Sequence, residues 1–332
     1  MEPSSWMKTE ERTMPSDRAV VFVGDVEPDE ASRFGGKAVN TSRLHRGGFR
    51  VPAGFSISGQ HYGDLIAVPE IQSVVNRLEA TEDLEELLLH ASDLEKLVER
   101  YEMPENLKRS ILDAKMALER ESGERAHGYA VRSSATVEDG TSISFAGQAE
   151  SYLCVRNDED LLESVKRVWR SVLTPRALMY LQSKGIPLSR VRMSVMIQEM
   201  VPAEVSGVLF TANVVTSDKN QILVEAVRGL GEPLVSGRAT PDTYIVEKGS
   251  FKILEQSLGR MNSMLVATAD GPAAIPVAEK LHGVPVLDDK ALHTIVETGL
   301  RIEELMGSPQ DIEWCLEGNQ LVILQSRPIT TL

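Results

Sequence analysis

Apolar positions between residues 81 and 101 recur with a helical period. Leu84, Leu87, Leu88, Ala91, Leu94, Leu97 and Val98 fall on one stripe, with acidic residues between them. Pro104 opens a second helix, with Leu107, Ile111, Ala114 and Leu118 on one face. Both helices read as scaffold. From Gly128 onward the pattern changes to short β-rich runs at 129–132, 151–155, 192–198, 205–211, 221–227 and 243–247. Capped helices lie between them. Asn157 precedes a run with Leu161, Val165, Val168, Trp169 and Val172 on one face, and Thr174-Pro175 starts a helix that Gly185 ends. A late helix spans about 288–306 and stops at Gly307. Strands and helices mix without regular βαβ alternation, which favours an α+β fold over a doubly wound sheet. Pro202 interrupts two strand-like runs and marks a lobe boundary near 200–204. The expected organisation is a loose arm over 1–20, an N-terminal lobe over 21–200 and a C-terminal lobe over 201–332.

Composition narrows the function. The 332 residues allow two domains or two lobes, and the net charge is −14. An acidic surface repels phosphate backbones and anionic lipids, so nucleic-acid and membrane-surface partners are disfavoured. Aromatic content of 5% argues against stacking platforms for single strands. Two cysteines, Cys154 and Cys315, make no disulfide framework and point to a reducing compartment. No apolar run approaches the roughly 18 residues of a membrane span, and no secretory h-region opens the chain, so the expectation is a soluble, cytoplasmic protein. A phosphate-bearing ligand would need a local cluster of cations, glycines and metal.

Three segments offer such chemistry. Gly35-Gly36-Lys37 precedes a helical stretch, where paired glycines let backbone N–H groups approach an oxyanion and the lysine adds a point charge. Taken alone the tripeptide reads more readily as a glycine turn with a solvated lysine, and no Walker A spacing occurs in the chain. Arg132-Ser133-Ser134-Ala135-Thr136 places one guanidinium and three hydroxyls at a strand end, a good phosphate set or a polar turn. Ser144-Phe145-Ala146-Gly147-Gln148 is small-residue-rich and suits a loop closing over a ligand, or any hairpin.

The run from Asp311 to Arg327 holds two strand-like segments around Gly318-Asn319, a hairpin signal. A three-residue loop pairs Glu317 with Leu321 and puts Trp314, Leu316, Val322 and Leu324 on one apolar face. The other face then carries Asp311 opposite Arg327, Glu313 opposite Gln325 and Cys315 opposite Ile323. A two-residue loop would turn Gln325 away from Glu313. Like charges at Asp311 and Glu313 cost energy unless a cation intervenes, and Mg²⁺ suits such oxygen donors. A surface hairpin with cross-strand salt bridges fits the residues equally well.

These segments resemble the N-terminal ATP-binding domain of phosphoenolpyruvate synthase and pyruvate phosphate dikinase. The resemblance rests on the segments above, on Val51-Pro52-Ala53-Gly54-Phe55, Glu138-Asp139 and Gln198-Glu199-Met200-Val201, and on Ser206-Gly207-Val208-Leu209-Phe210-Thr211, Gly229-Leu230-Gly231-Glu232 and Gln325-Ser326-Arg327-Pro328. They occur in the family's order and cover nearly all of residues 20–330. The resemblance implies a two-lobed, ATP-grasp-like fold with ATP between the lobes. It implies that Gly35, Gly36, Lys37, Arg132, Ser133 and Thr136 contact phosphates, and that the loop with Gly147 and Gln148 closes over them. Gln198, Glu199, Met200 and Val201 would hold adenine. Glu313 and Gln325 would hold Mg²⁺, with Asp311 beside them as a catalytic carboxylate and Arg327 on the transferring phosphoryl group. Ala38 stands where the family often has glycine.

In the family this domain phosphorylates a histidine on a separate swivelling domain, which passes the phosphoryl group to pyruvate, a rifamycin or phenol. The glycine-rich stretch leading into Ser-His is absent, and the six histidines, His45, His61, His90, His127, His282 and His293, lack that context. The expectation is therefore an ATP-dependent phosphotransferase half-reaction, with the acceptor histidine on another domain or a partner subunit. A non-catalytic ATP-binding regulatory subunit is the alternative.

Overall fold

The computed structural model describes residues 18–123, 127–135 and 151–332. In chain order the first elements are β1 (Val20–Phe22), α1 (Ala31–Arg46), β2 (Gly54–Ile57), α2 (Gln60–Ile66), α3 (Pro69–Ala80), α4 (Leu84–Arg100), α5 (Glu105–Ser122), β3 (Tyr129–Ala135), β4 (Ser151–Val155), α6 (Asp158–Ser171), α7 (Pro175–Ser183) and β5 (Met193–Glu199). Then come β6 (Val205–Phe210), β7 (Gln221–Arg228), α8 (Glu232–Val235), β8 (Asp242–Glu247), β9 (Ile253–Ser257), β10 (Ser263–Thr268), β11 (Gly271–Pro276), α9 (Asp289–Met306), β12 (Gln310–Glu317) and β13 (Gln320–Pro328).

Two antiparallel sheets organise these elements, in an α+β arrangement. The first has the order β1-β2-β5-β3-β4 and the second β13-β12-β6-β7-β8-β9, while β10 and β11 pair with each other. Every residue of β5 is buried, because both faces of the first sheet are covered. Its Met193, Val195 and Ile197 pack with Leu94, Leu107 and Trp169 from the helices of one layer. Met196, on the other face, packs against Phe34, Ala38 and Val39 of α1. The second sheet buries Leu209, Val224 and Trp314 against Leu292, Ile295 and Ile302 of α9. That helix is capped by Asp288, which accepts from Ala291 N at 2.7 Å, and ends at Gly307 with φ +80°.

Several elements differ from the sequence expectation. The α4 stripe is narrower, since Leu87, Ala91, Leu94 and Val98 are buried while Leu84 and Leu88 remain exposed. The strand expected to end at Arg132 continues to Ala135, because β5 pairs with it as far as Ala135↔Met193. The strands β1, β2, β9, β10 and β11 and the helix α2 are short and leave little pattern in the sequence, while α3 is an addition to the expected elements although Pro69 and the stripe of Ile71, Val74, Val75 and Leu78 carry a helical signal.

The C-terminal hairpin corrects the expected register. Its loop has two residues, not three, so Glu317 pairs with Gln320, Leu316 with Leu321, Cys315 with Val322 and Trp314 with Ile323. A bulge at Leu324 then shifts the register by one, and Glu313 pairs with Gln325 and Asp311 with Arg327. The tight turn and the bulge cancel, so the polar pairs stand where a three-residue loop would have put them. Gly207 lies opposite Trp314, and a Cβ there would come within 2.2 Å of the indole Cζ2 and of the Glu225 carbonyl oxygen. Only glycine lets the buried indole lie on β6.

The helix α1 touches both sheets. Its chain breaks helical geometry at Gly35, with φ +76° and ψ 161°. There the hydroxyls of Ser134 and Ser194 both reach the Phe34 carbonyl, at 3.0 and 2.7 Å. Further along, Asn40 Nδ2 donates to the Ser326 carbonyl at 3.1 Å, and Leu44 joins the core of the second sheet. A Cβ on Gly35 would lie 2.2 Å from Ser134 Oγ and 2.4 Å from the Ser134 carbonyl oxygen. Gly35→Ala is therefore expected to cost about 3 kcal/mol or more in urea unfolding. Gly48→Ala shares a positive φ of +80° but meets nothing within 4 Å, and should cost only about 1 kcal/mol. Equal losses at the two sites would refute the close-approach explanation.

Candidate functional site

A cleft of about 250 Å³ opens between the two sheets. Strand alternation and register explain its first wall. On β3 and β5 the pairs Ala130↔Gln198 and Arg132↔Met196 put Ala130, Arg132 and Gln198 on the sheet face that α1 covers. All three line the cleft, as does Lys37, which α1 brings over the end of β3. Glu199, Met200 and Val201 follow as the chain leaves the first sheet, and they line it too. The opposite wall comes from the hairpin, where the bulge at Leu324 presents Glu313, Gln325 and Arg327.

Nine of the residues singled out in the sequence are thus brought together: Lys37, Arg132, Gln198, Glu199, Met200, Val201, Glu313, Gln325 and Arg327. Others are placed elsewhere. Gly35 and Gly36 are buried and do not line the cleft; Gly35 serves the contact of α1 with Ser134. Ser133 points to the opposite face of β3 from Arg132, is only 1% exposed and does not line the cleft, and its carbonyl accepts from Lys37 Nζ at 2.9 Å. Asp311 lies beside the cleft, joined to it through Arg327. Thr136, Gly147 and Gln148 lie outside the described residues, as do Glu138, Asp139 and the rest of the 144–148 loop.

The polar half of the cleft is held by charge pairs. Arg132 Nη1 meets Glu313 Oε2 at 3.2 Å, linking the first sheet to the second. Arg327 donates from Nε at 2.8 Å and meets the same Asp311 oxygen through Nη2 at 2.7 Å. Burial raises the Asp311 carboxyl above its usual range, the Arg327 cation opposes that shift, and the Glu313 charge adds to it. Glu225, on β7, stands in the same cross-strand row as Glu313, with Val208 between them, and burial and then Asp311 push its carboxyl up. Among the described residues, Arg132 Nε, Gln198 Nε2 and Trp314 Nε1 are buried donors without an acceptor. The Trp314 indole is buried on the α9 side of its sheet, but the donors of Arg132 and Gln198 belong to the cleft and call for a ligand with acceptor atoms.

Sequence reasoning missed the apolar half of the cleft. Leu153, Ala203, Leu230, Cys315 and Leu324 line it. Burial pushes the Cys315 thiol up to about 12, partly offset by Arg132, so it behaves as a small apolar group. Leu230 and Glu232 stand in the Gly229-Leu230-Gly231-Glu232 segment, whose residue types alone point to no role. Leu324 gives no sequence signal, since the bulge alone turns it toward the cleft, whereas Cys315 shares the Asp311 and Glu313 face of β12 by alternation.

The arrangement can take an elongated ligand with a flat apolar end and an anionic end. Glu313 and Gln325 offer hard oxygen donors, as Mg²⁺ prefers. No group of three or more His, Cys, Asp or Glu suited to a metal occurs among the described residues. No helix among them is long and apolar enough to cross a membrane.

Comparison with known proteins matches residues 31–332 to the pyruvate phosphate dikinase, AMP/ATP-binding domain family. The chain belongs to this family. It is 37% identical over 326 residues to a probable phosphoenolpyruvate synthase of Methanothermobacter thermautotrophicus, covering 96% of this chain and 47% of that protein. It is 33% identical to the phosphoenolpyruvate synthase of Pyrococcus furiosus, covering 95% of this chain and 44% of the relative. A rifampicin phosphotransferase of a Streptomyces species is 38% identical, covering 96% of this chain and 36% of the relative. The chain spans about half the length, or less, of these relatives.

The Asp311 shift makes a testable prediction. A carboxyl that ionises less readily folded than unfolded loses stability as pH rises from its ordinary range up to the raised value. Asp311→Asn removes that loss. In the ligand-free protein the variant should gain stability relative to wild type as pH rises above the ordinary carboxyl value of about 4 in urea titrations. A relative loss over the same range would mean that the Arg327 pair outweighs burial.

Proposed function

We propose that the cleft binds ATP with Mg²⁺ and that the chain phosphorylates a histidine on a separate swivelling domain or partner subunit. ATP, water and the histidine give AMP, phosphate and phosphohistidine, with both phosphoanhydride bonds broken, and the histidine's phosphoryl group passes on to a small acceptor such as pyruvate or phenol. One observation carries this reading. The fold gathers Lys37, Arg132, Gln198, Glu313, Gln325 and Arg327, far apart in sequence, around one cleft with an apolar and a charged half. The buried donors of Arg132 and Gln198, left without acceptors, fit the acceptor-rich ring and phosphates of a nucleotide. The names of the relatives, phosphoenolpyruvate synthase and rifampicin phosphotransferase, support a phosphotransferase.

In this reading the chain around 198–201 holds the adenine beside the apolar wall. Lys37, Arg132 and Thr136 hold phosphate oxygens, and the loop with Gly147 and Gln148 closes over them. Arg327, held in place by Asp311, offsets negative charge on the transferring phosphoryl group. Glu313 and Gln325 would hold Mg²⁺, which supplies positive charge to the polyphosphate when bound. The lobes at 21–200 and 201–332 would close on the nucleotide between them. A net charge of −14 makes this local reversal of the field necessary.

The test mixes the chain with a histidine-bearing partner and ATP. AMP and a labelled histidine are expected; ADP alone, or an unlabelled histidine, would sink the reaction. Stabilisation by ATP without phosphohistidine under any condition would favour the regulatory alternative. Mg·ATP at about a hundredfold above its Kd should stabilise the wild type by about 2.7 kcal/mol. Glu313→Gln should lose the Mg²⁺-dependent part of that gain, and an unchanged gain would refute its role at the metal.

A further inference from the structure

Arg132 and Glu313 belong to different sheets and meet across the cleft at 3.2 Å. Arg327 and Asp311 meet along the hairpin at 2.7 Å. Each pair joins a cation suited to phosphate with a carboxylate suited to a metal ion. The charged half of the cleft is therefore neutralised from within. The Arg132 and Glu313 side chains are only 15% and 20% exposed, so neither is well hydrated if its partner leaves.

We infer that these pairs make the cleft selective for a polyphosphate already complexed with a divalent cation, Arg132 being the residue that enforces the selection. The inference rests on the reading of the cleft as a nucleotide site. A free polyphosphate that takes Arg132 leaves Glu313 facing both the anion and Asp311. A free divalent cation that takes Glu313 leaves the Arg132 guanidinium facing that cation. Each component alone exchanges one attraction for another and adds a repulsion. The complex supplies an anion for each arginine and a cation for the carboxylates at the same time, so no charge is stranded. Arg132 thus has two opposed effects. It draws the phosphates in and keeps a lone metal ion out.

The consequence is a gain of function on truncation. With Mn²⁺ as the probe, no nucleotide present, and free ion read by electron paramagnetic resonance, Arg132→Ala should bind Mn²⁺ about tenfold tighter than wild type. Arg132→Lys keeps the charge and should stay within about threefold of wild type. The double variant Arg132→Ala with Glu313→Gln should lose the gain, since the freed carboxylate is gone. Arg327→Ala removes a side chain 48% exposed, which the fold tolerates, and should give a smaller gain of about threefold. In the mirror experiment, with tripolyphosphate and a chelator removing divalent ions, Glu313→Gln should bind the anion more tightly than wild type. Mn²⁺ affinities of Arg132→Ala and Arg327→Ala equal to or below wild type overturn the inference. So does a tripolyphosphate affinity of Glu313→Gln no better than wild type. Calorimetry of wild type with Mg·ATP is the separate control. No binding there overturns the nucleotide reading, whereas Mg·ATP binding without the Mn²⁺ gain overturns this inference alone.

Discussion

The Phe34 carbonyl, reached by the hydroxyls of Ser134 and Ser194, is the joint on which the rest of the molecule depends. It pins α1 to the two central strands of the first sheet where the helix breaks at Gly35. The close approach leaves no room for a side chain at that position. From there α1 carries Lys37 to the end of β3 and Asn40 to the backbone of β13. One helix thus sets the spacing of two sheets that share no strand, and the cleft is the gap it maintains. The serines of the 132–136 segment have a different task from the one their chemistry suggests. Ser134 holds the helix, and Ser133 offers its carbonyl to Lys37.

The second determinant is charge placed where water is scarce. Glu313 sits with Asp311, a carboxylate whose burial disfavours ionisation, in a chain that is acidic overall. Two arginines balance them, one from each side of the cleft. This balance keeps the sheets in register without ligand, and it also means that any ligand must replace charge with charge. The donors at Arg132 Nε and Gln198 Nε2 remain unpaired, a cost the fold alone does not recover.

The hairpin illustrates how local rules can fail while their conclusion survives. Consistent apolar faces argued for a three-residue loop. The protein makes a two-residue turn and restores the alignment with a bulge at Leu324. The bulge answers to packing, because it turns Leu324 into the apolar wall around Leu230, Ala203 and Cys315. Turn preference and strand pairing are local, but where a strand absorbs an extra residue depends on the surface it meets.

The sequence by itself determined the long elements and the chemical types at the site. Helical periodicity with caps at Asn157, Thr174 and Asp288, and Gly307 at a C-terminus, needs only neighbours along the chain. The ordered motifs likewise carried the AMP/ATP-binding family, which the comparison shows over residues 31–332. Tertiary structure alone decided which of those residues share a cavity. It placed Arg132 against Glu313, 181 positions away, turned Ser133 from the cleft and made Gly35 a packing glycine. It also made β2 and β10 into strands. The physical reason is the same in each case: side-chain alternation tells which residues share a face of a strand, but what covers that face is set by parts of the chain far away.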